Sequence, residues 1–184
     1  MPTICPWYLG YFLINPFRFL VQKPSKILAP YVKAGDLAFE PGPGMGFFTL
    51  ELARRVGPEG RVYVADIQSR MLGALKRRAA KAGLDARIET RLAKSDSLGV
   101  DDLAGRVDFV LAFAVVHEMP DIARFFAETG AVLKKGGRLL LAEPRGHVRP
   151  EKFAEELKAA ERCGLHPIAH PPIWSSHTAV LEIG

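Results

Sequence analysis

A chain of 184 residues suits one domain with a sizeable core, and its 48% hydrophobic and 24% charged content is ordinary for a globular protein in water. Two cysteines, Cys5 and Cys163, exclude a disulfide framework or a paired-cysteine metal site and make a reducing cytoplasm the default location. The formal charge of +5 suits an anionic partner, but Lys and Arg are spread over several predicted helices, which favours solvated faces over nucleic-acid binding.

Residues 1–34 are read as a helical N-terminal cap or lid ahead of a single globular domain over 35–184. The first charge is Arg18, so the positive start of a secretory signal is missing. Pro6, Gly10, Asn15, Pro16 and Arg18 interrupt the apolar run, which is too broken for a membrane span of about 20 residues. Asn15-Pro16 reads as an N-cap and first-turn proline opening a helix through Val21; Pro24-Ser25 opens another, with Ile27, Leu28 and Tyr31 available for burial. Trp7, Tyr8, Tyr11, Phe12, Phe17 and Phe19 either pack as a cap or form a mobile lid over a ligand. Surface anchoring on a membrane is a third reading, disfavoured by the few positive charges.

From Asp36 the pattern alternates strand and helix. Leu37–Glu40 is the first strand, followed by glycines at 42, 44 and 46 and a helix with Phe48, Leu52 and Val56 on one face, ending at Gly57-Pro58. The second strand is Arg61–Ala65, ending at Asp66. A helix over 69–82 aligns Leu72, Leu75, Ala79 and Ala82, with Gly83 as its cap. Strands at 87–92 and 107–113 flank a loop around Asp96 and Asp101. The helix from Asp121 to Leu133 turns Ile122, Phe125, Phe126 and Leu133 inward and ends at Gly136-Gly137. Arg138–Glu143 is the fifth strand, a helix from Pro150 buries Phe153, Leu157 and Ala160, and strands near 165–169 and 178–183 form a closing pair. Such alternation implies an α/β fold with a parallel sheet and helices on both faces. Ligands then bind beyond the carboxyl ends of the strands at the topological switch point, which selects Glu40, Asp66, Asp96, residues 114–119 and residues 143–147.

The glycine turn after Glu40 lets the backbone bend sharply and approach a ligand. A nicotinamide fingerprint would need a third glycine at 47, where the chain has Phe47, and no Gly-Lys-Ser/Thr follows to make a phosphate loop. Acids end three successive strand regions. Asp66 is placed to accept both hydroxyls of a ribose, and Asp96 to accept from an exocyclic adenine amine.

Phe39-Glu40-Pro41-Gly42-Pro43-Gly44-Met45-Gly46 resembles motif I of the class I S-adenosylmethionine (SAM)-dependent methyltransferases. Ala65-Asp66-Ile67 and Ser95-Asp96-Ser97 resemble their acidic positions after the second and third strands, Val107 to Glu118 their fourth-strand region, and Leu133 to Leu141 the turn into their fifth strand. The resemblance spans residues 26–184, in particular to small bacterial enzymes related to the ubiquinone/menaquinone-biosynthesis methyltransferases; Glu40 departs from the commoner aspartate. It implies a Rossmann-like, seven-stranded, mostly parallel sheet with the last strand antiparallel, and SAM as the methyl donor with S-adenosylhomocysteine (SAH) as its product. It further implies Glu40 at the methionine amino group and Gly42, Gly44 and Gly46 beside the methionine and ribose. Asp66 falls on the ribose hydroxyls, Ile67 against the adenine, Asp96 and Ser97 at the adenine amine, and the Ala114 backbone near the sulfonium.

Methyl transfer needs an acceptor lone pair held in line with the S–CH3 bond, and positioning and desolvation supply most of the rate. A weakly acidic acceptor also needs a base; His117 and His147 fall on the correct rim for that task, with Glu118 and Glu143 as further candidates. No Asn/Asp/Ser-Pro-Pro-aromatic run follows the fourth strand, no Pro-Cys pair is present, and two cysteines fall short of a thiol set for arsenite. These absences, with no large insertion, leave a small-molecule acceptor as the expectation, without a metal. A non-catalytic SAM-binding module and a nucleotide-dependent oxidoreductase are the rivals, the second opposed by Phe47.

Overall fold

Apolar residues in runs along each central strand must be covered on both sides, because successive side chains point to opposite faces of a sheet. A computed structural model, which describes residues 22–184, has this arrangement. In chain order the elements are α1 (Pro24–Leu28), β1 (Leu37–Pro41), α2 (Thr49–Val56), β2 (Arg61–Asp66), α3 (Ser69–Lys81) and β3 (Ile88–Leu92). They continue with β4 (Val107–Phe113), α4 (Ile122–Val132), β5 (Leu133–Pro144), α5 (Pro150–Arg162), β6 (Leu165–Ala169) and β7 (Ser176–Ile183). The expected helix ending at Val21 and the aromatics from Trp7 to Phe19 lie outside the described residues.

The sheet order is β3-β2-β1-β4-β5-β7-β6. Strands β1 to β5 pair in parallel, and β7 runs antiparallel to both β5 and β6. The expected seven strands with a reversed last strand are therefore present, and the order reverses between β1 and β4. Alternation divides the core into two layers. Phe39, Val110, Ala112, Leu139 and Leu141 pack toward α4 and α5 with Phe126 and Leu165. Ala38, Val62, Val64, Phe109, Leu111 and Leu140 pack toward α1, α2 and α3 with Leu28, Leu52 and Leu75. Each fully buried Val, Leu or Phe side chain among them contributes about 1.5–3 kcal/mol. α1 belongs to that second layer: Leu28 is fully buried and Tyr31 stacks on Phe109 at 5.8 Å between ring centroids.

Two boundaries differ from the sequence expectation. The helix expected to stop at Gly136-Gly137 ends at Val132, and Leu133 is already extended and paired with Val107. Residues 134–137 then bulge out of the ladder before Arg138 pairs with Phe109; a Cβ at Gly137 would lie 2.8 Å from the Lys134 carbonyl oxygen, so those glycines serve a strand bulge and not a helix cap. Ala82, expected inward, is exposed because α3 ends one residue earlier. Among the described residues no helix is long and apolar enough to cross a membrane.

Candidate functional site

The turns that leave β1, β2, β3 and β4 open at the same end of the sheet and enclose a cleft of about 670 Å³. Gly42 and Gly44 line it after β1, Asp66 and Ile67 after β2, Asp96 and Ser97 after β3, and Ala114 after β4. Seven of the sequence-predicted donor-site residues thus converge. At the turn, the Gly42 amide donates to the Ala65 carbonyl (2.8 Å), and its φ of +64° is a left-handed conformation that L side chains resist. A Cβ there would sit 2.5 Å from Val115 Cγ2, whereas nothing lies within 4 Å of a Cβ built on Gly44, which opens a bare stretch of backbone onto the cleft.

Asp66 is only 9% exposed. Its Oδ1 accepts from the Gln68 amide at 2.8 Å. Burial raises its pKa to about 6, against the lowering effect of hydrogen bonds from the Gln68 and Gly44 backbones, and the charge of Glu118 adds to the rise. Ile67 beside it is 43% exposed, a large apolar side chain left bare on the cleft wall, with Leu98 also lining the space. Ser97 holds its own loop, its Oγ accepting from the Gly99 amide at 3.1 Å. The charged lining consists of Asp66, Asp96, Glu118, Asp121 and Glu128 against Lys94 and Arg124, so the cleft is acidic within a chain whose net charge is positive.

Glu40 and Gly46 are not among the lining residues. Glu40 is buried beneath the turn, where Thr49 Oγ1 donates to its Oε2 at 2.5 Å, and the missing Cβ of Gly46 faces Leu75 on α3. Neither His117 nor His147 lines the cleft. His117 Nδ1 pairs with Glu143 Oε2, and the two histidine rings meet edge to face at 5.6 Å. Burial alone would lower the His117 pKa; the Glu143 carboxylate overcomes this and raises it, with Glu118 and Glu156 acting the same way. Among the described residues no cluster of His, Cys, Asp or Glu could hold a metal ion.

Glu156 was not singled out from the sequence, although it shares a helical face with Phe153 and Ala160, three and four residues away. It is fully buried on α5, and neither carboxylate oxygen has a hydrogen-bond partner. Burial raises its pKa to about 7, and the nearby charge of Glu143 adds to the rise. A carboxyl whose folded pKa is raised stabilises the fold below its unfolded pKa, and that contribution is lost as pH climbs from about 4.5 to about 7. Glu156→Gln is therefore expected to match the parent near pH 5 and to exceed it at pH 8 by about 2 kcal/mol, or roughly 4–8 °C in melting temperature. Thermal melts at both pH values check this; equal gains at both would separate the effect from the proton.

A family model for a methyltransferase domain matches residues 39–141. The chain is 31% identical over 129 residues to an arsenite methyltransferase of Halobacterium salinarum, covering 70% of this chain and 30% of that protein. It is 30% identical over 112 residues to a ubiquinone/menaquinone biosynthesis C-methyltransferase of Marinomonas, covering 61% of this chain and 44% of that protein. The chain thus spans less than half the length of these curated relatives. A solved SAM-dependent methyltransferase from Aquifex aeolicus superposes with a TM-score of 0.86 at 22% identity, covering 98% of this chain and 100% of that one. TrmN from Thermus thermophilus superposes at 0.66 with 22% identity, covering 88% and 48%. At these identities the solved structures establish the fold alone.

Proposed function

We propose that this chain, which belongs to the SAM-dependent methyltransferase family, binds SAM in the cleft and transfers its methyl group to a small molecule. The observation that carries the reading is the acidic cleft at the switch point, with a buried carboxylate, Asp66, where β2 ends. SAM bears a sulfonium and an ammonium, and an acidic wall favours that charge pattern over a dinucleotide pyrophosphate. Bound SAM supplies an electrophilic methyl group.

The chain's own residues position it. Asp66 accepts the ribose hydroxyls, Ile67 and Leu98 offer apolar surface to the adenine, and Asp96 with Ser97 accepts from its amine. Gly42 and Gly44 admit the methionine portion close to the backbone, and Ala114 borders the sulfonium side. Glu40 contributes negative charge from beneath the turn, toward the ammonium, and Gly46 seats the turn against α3. Since neither histidine lines the cleft, the rate enhancement rests on positioning and exclusion of water, and no proton transfer is assigned to them.

A small acceptor is supported by the acidic lining of the cleft, which repels a polyanion. Arsenite finds a single thiol among the described residues, Cys163, which lies just past α5 and donates to the Ala123 carbonyl. A non-catalytic SAM-binding module is the second reading, favoured by the position of both histidines away from the cleft. Incubation with methyl-labelled SAM and a panel of small phenols, thiols and quinone precursors separates the two. Label transfer to at least one acceptor is expected; SAM binding with no transfer across the panel would favour the module.

A further inference from the structure

Residues 114–119 follow β4 beside the glycine turn, and Ala114, Val115, Glu118 and Met119 line the cleft there. The β4–β5 ladder reaches Ala114, whose amide donates to the Ala142 carbonyl at 2.7 Å. There the chain leaves the sheet through a left-handed residue, Ala114 with φ +55°, a conformation an alanine adopts only when its surroundings enforce it. The following residues, through Glu118, belong to no strand. Their amides instead converge on a single side chain: Val115 N and Val116 N donate to Glu143 Oε1 at 3.1 and 2.9 Å, and His117 Nδ1 pairs with Oε2.

We propose that Glu143 is the positioning residue of the cleft wall, its carboxylate holding the segment from Ala114 to His117 in the one backbone course that sets Val115 against the glycine turn. The inference rests on the donor reading above. Glu143 is fully buried near the end of β5, so it does not itself reach a ligand in the cleft. Its effect travels through Val115, whose Cγ2 occupies the space that Gly42 leaves open. Two backbone donors and one imidazole meet the hydrogen-bonding needs of the buried Glu143 side chain, and the pairing raises the His117 pKa. The groups around the pair are Glu118 on the same turn, His147 after β5, Glu156 on α5 and His177, which faces Glu143 in the β5–β7 register. A raised Glu156 pKa fits this arrangement: burial raises it first and the charge of Glu143 adds to the rise, against the lowering effect of His117.

Two variants and two measurements test it. In Glu143→Ala, amide hydrogen exchange at Val115 and Val116 is expected to speed up roughly 10- to 100-fold while Val110 in the strand interior keeps its parent rate, and SAH affinity is expected to fall about tenfold. In Glu143→Gln, the side-chain oxygen still accepts from both amides, so exchange stays near the parent rate, but the His117 ring titrates at lower pH by NMR because its carboxylate is gone. Parent-rate exchange at Val115 and Val116 in Glu143→Ala, or uniform acceleration throughout β4, overturns the positioning role. Failure of the parent protein to bind SAH overturns the donor reading instead, and the exchange comparison on the free protein still decides the role of Glu143.

Discussion

Gly42→Ala is expected to destabilise the fold by about 2–4 kcal/mol and to abolish SAH binding. Part of that loss, about 1–2 kcal/mol, comes from placing an L side chain at a φ of +64°. The rest comes from contact: the new methyl would lie 2.5 Å from Val115 Cγ2, and Val115 is tied through its own amide to Glu143. The wall must yield or the turn must open, and either distorts the cleft. Gly44→Ala is the informative comparison. Its φ of +54° imposes the same kind of strain, but no atom lies within 4 Å of the added carbon. Its stability loss is expected to stay near 1–2 kcal/mol while SAH binding still fails, because the methyl would project over the backbone that the ligand approaches. Denaturant melts of the two variants check the first difference and calorimetry the second; equal destabilisation would show that strain, not the Val115 contact, dominates at Gly42.

Asp66→Asn is expected to weaken SAH binding at least 100-fold at pH 8 while raising stability. Hydrogen bonds from two ribose hydroxyls to an ionised carboxylate are worth about 1.5–3 kcal/mol each, more than an amide oxygen returns. The stability gain follows from burial, which raises the Asp66 pKa to about 6. The stability that a protonated Asp66 provides is present below about pH 4 and is lost as pH rises through about 6, so at pH 8 the folded chain holds a buried charge at a cost of about 2–3 kcal/mol. Asparagine keeps the acceptor for the Gln68 amide without that charge. The same ionisation gives binding its own pH dependence: SAH affinity of the parent is expected to rise from pH 5 to 7 and to level above that, while Asp66→Asn stays flat. A parent profile with no rise across that window would remove Asp66 from the ligand's contacts.

Strand and helix placement was readable because the core is two-sided. Runs such as Val62 to Ala65 and Phe109 to Phe113 send alternate residues into opposite layers, and the resulting uninterrupted apolar run marks a strand covered on both faces. Asp66 was readable for a related reason: an acid closing a β-branched run must lie where the strand leaves the sheet, and the topology brings that point to the cleft. The segment after β4 was readable only in part: residues 114–119 were selected as ligand-facing, but not which of them would line the cleft. At Ala114 the backbone turns left-handed with no glycine to announce it, and from there the alternation that tells one face from the other no longer applies. Glu118 and Met119 consequently face the cleft, while His117, expected there as a base, turns toward Glu143. Glu40 shows the same limit at shorter range. Its position at a strand end suggested contact with the ligand, yet the helix that follows presents Thr49 to it, a contact between residues nine apart that depends on how the turn folds. Gly136-Gly137 looked like a helix stop because paired glycines end helices, but they serve equally in a bulge where two carbonyls crowd the backbone.

Titration calorimetry of the parent protein with SAH and, separately, with NADH tests the donor assignment most directly. One SAH bound per chain, with no heat from NADH, is expected of an acidic cleft whose glycine turn is followed by Phe47. No binding of SAH at millimolar concentration, or binding of NADH in its place, would contradict it.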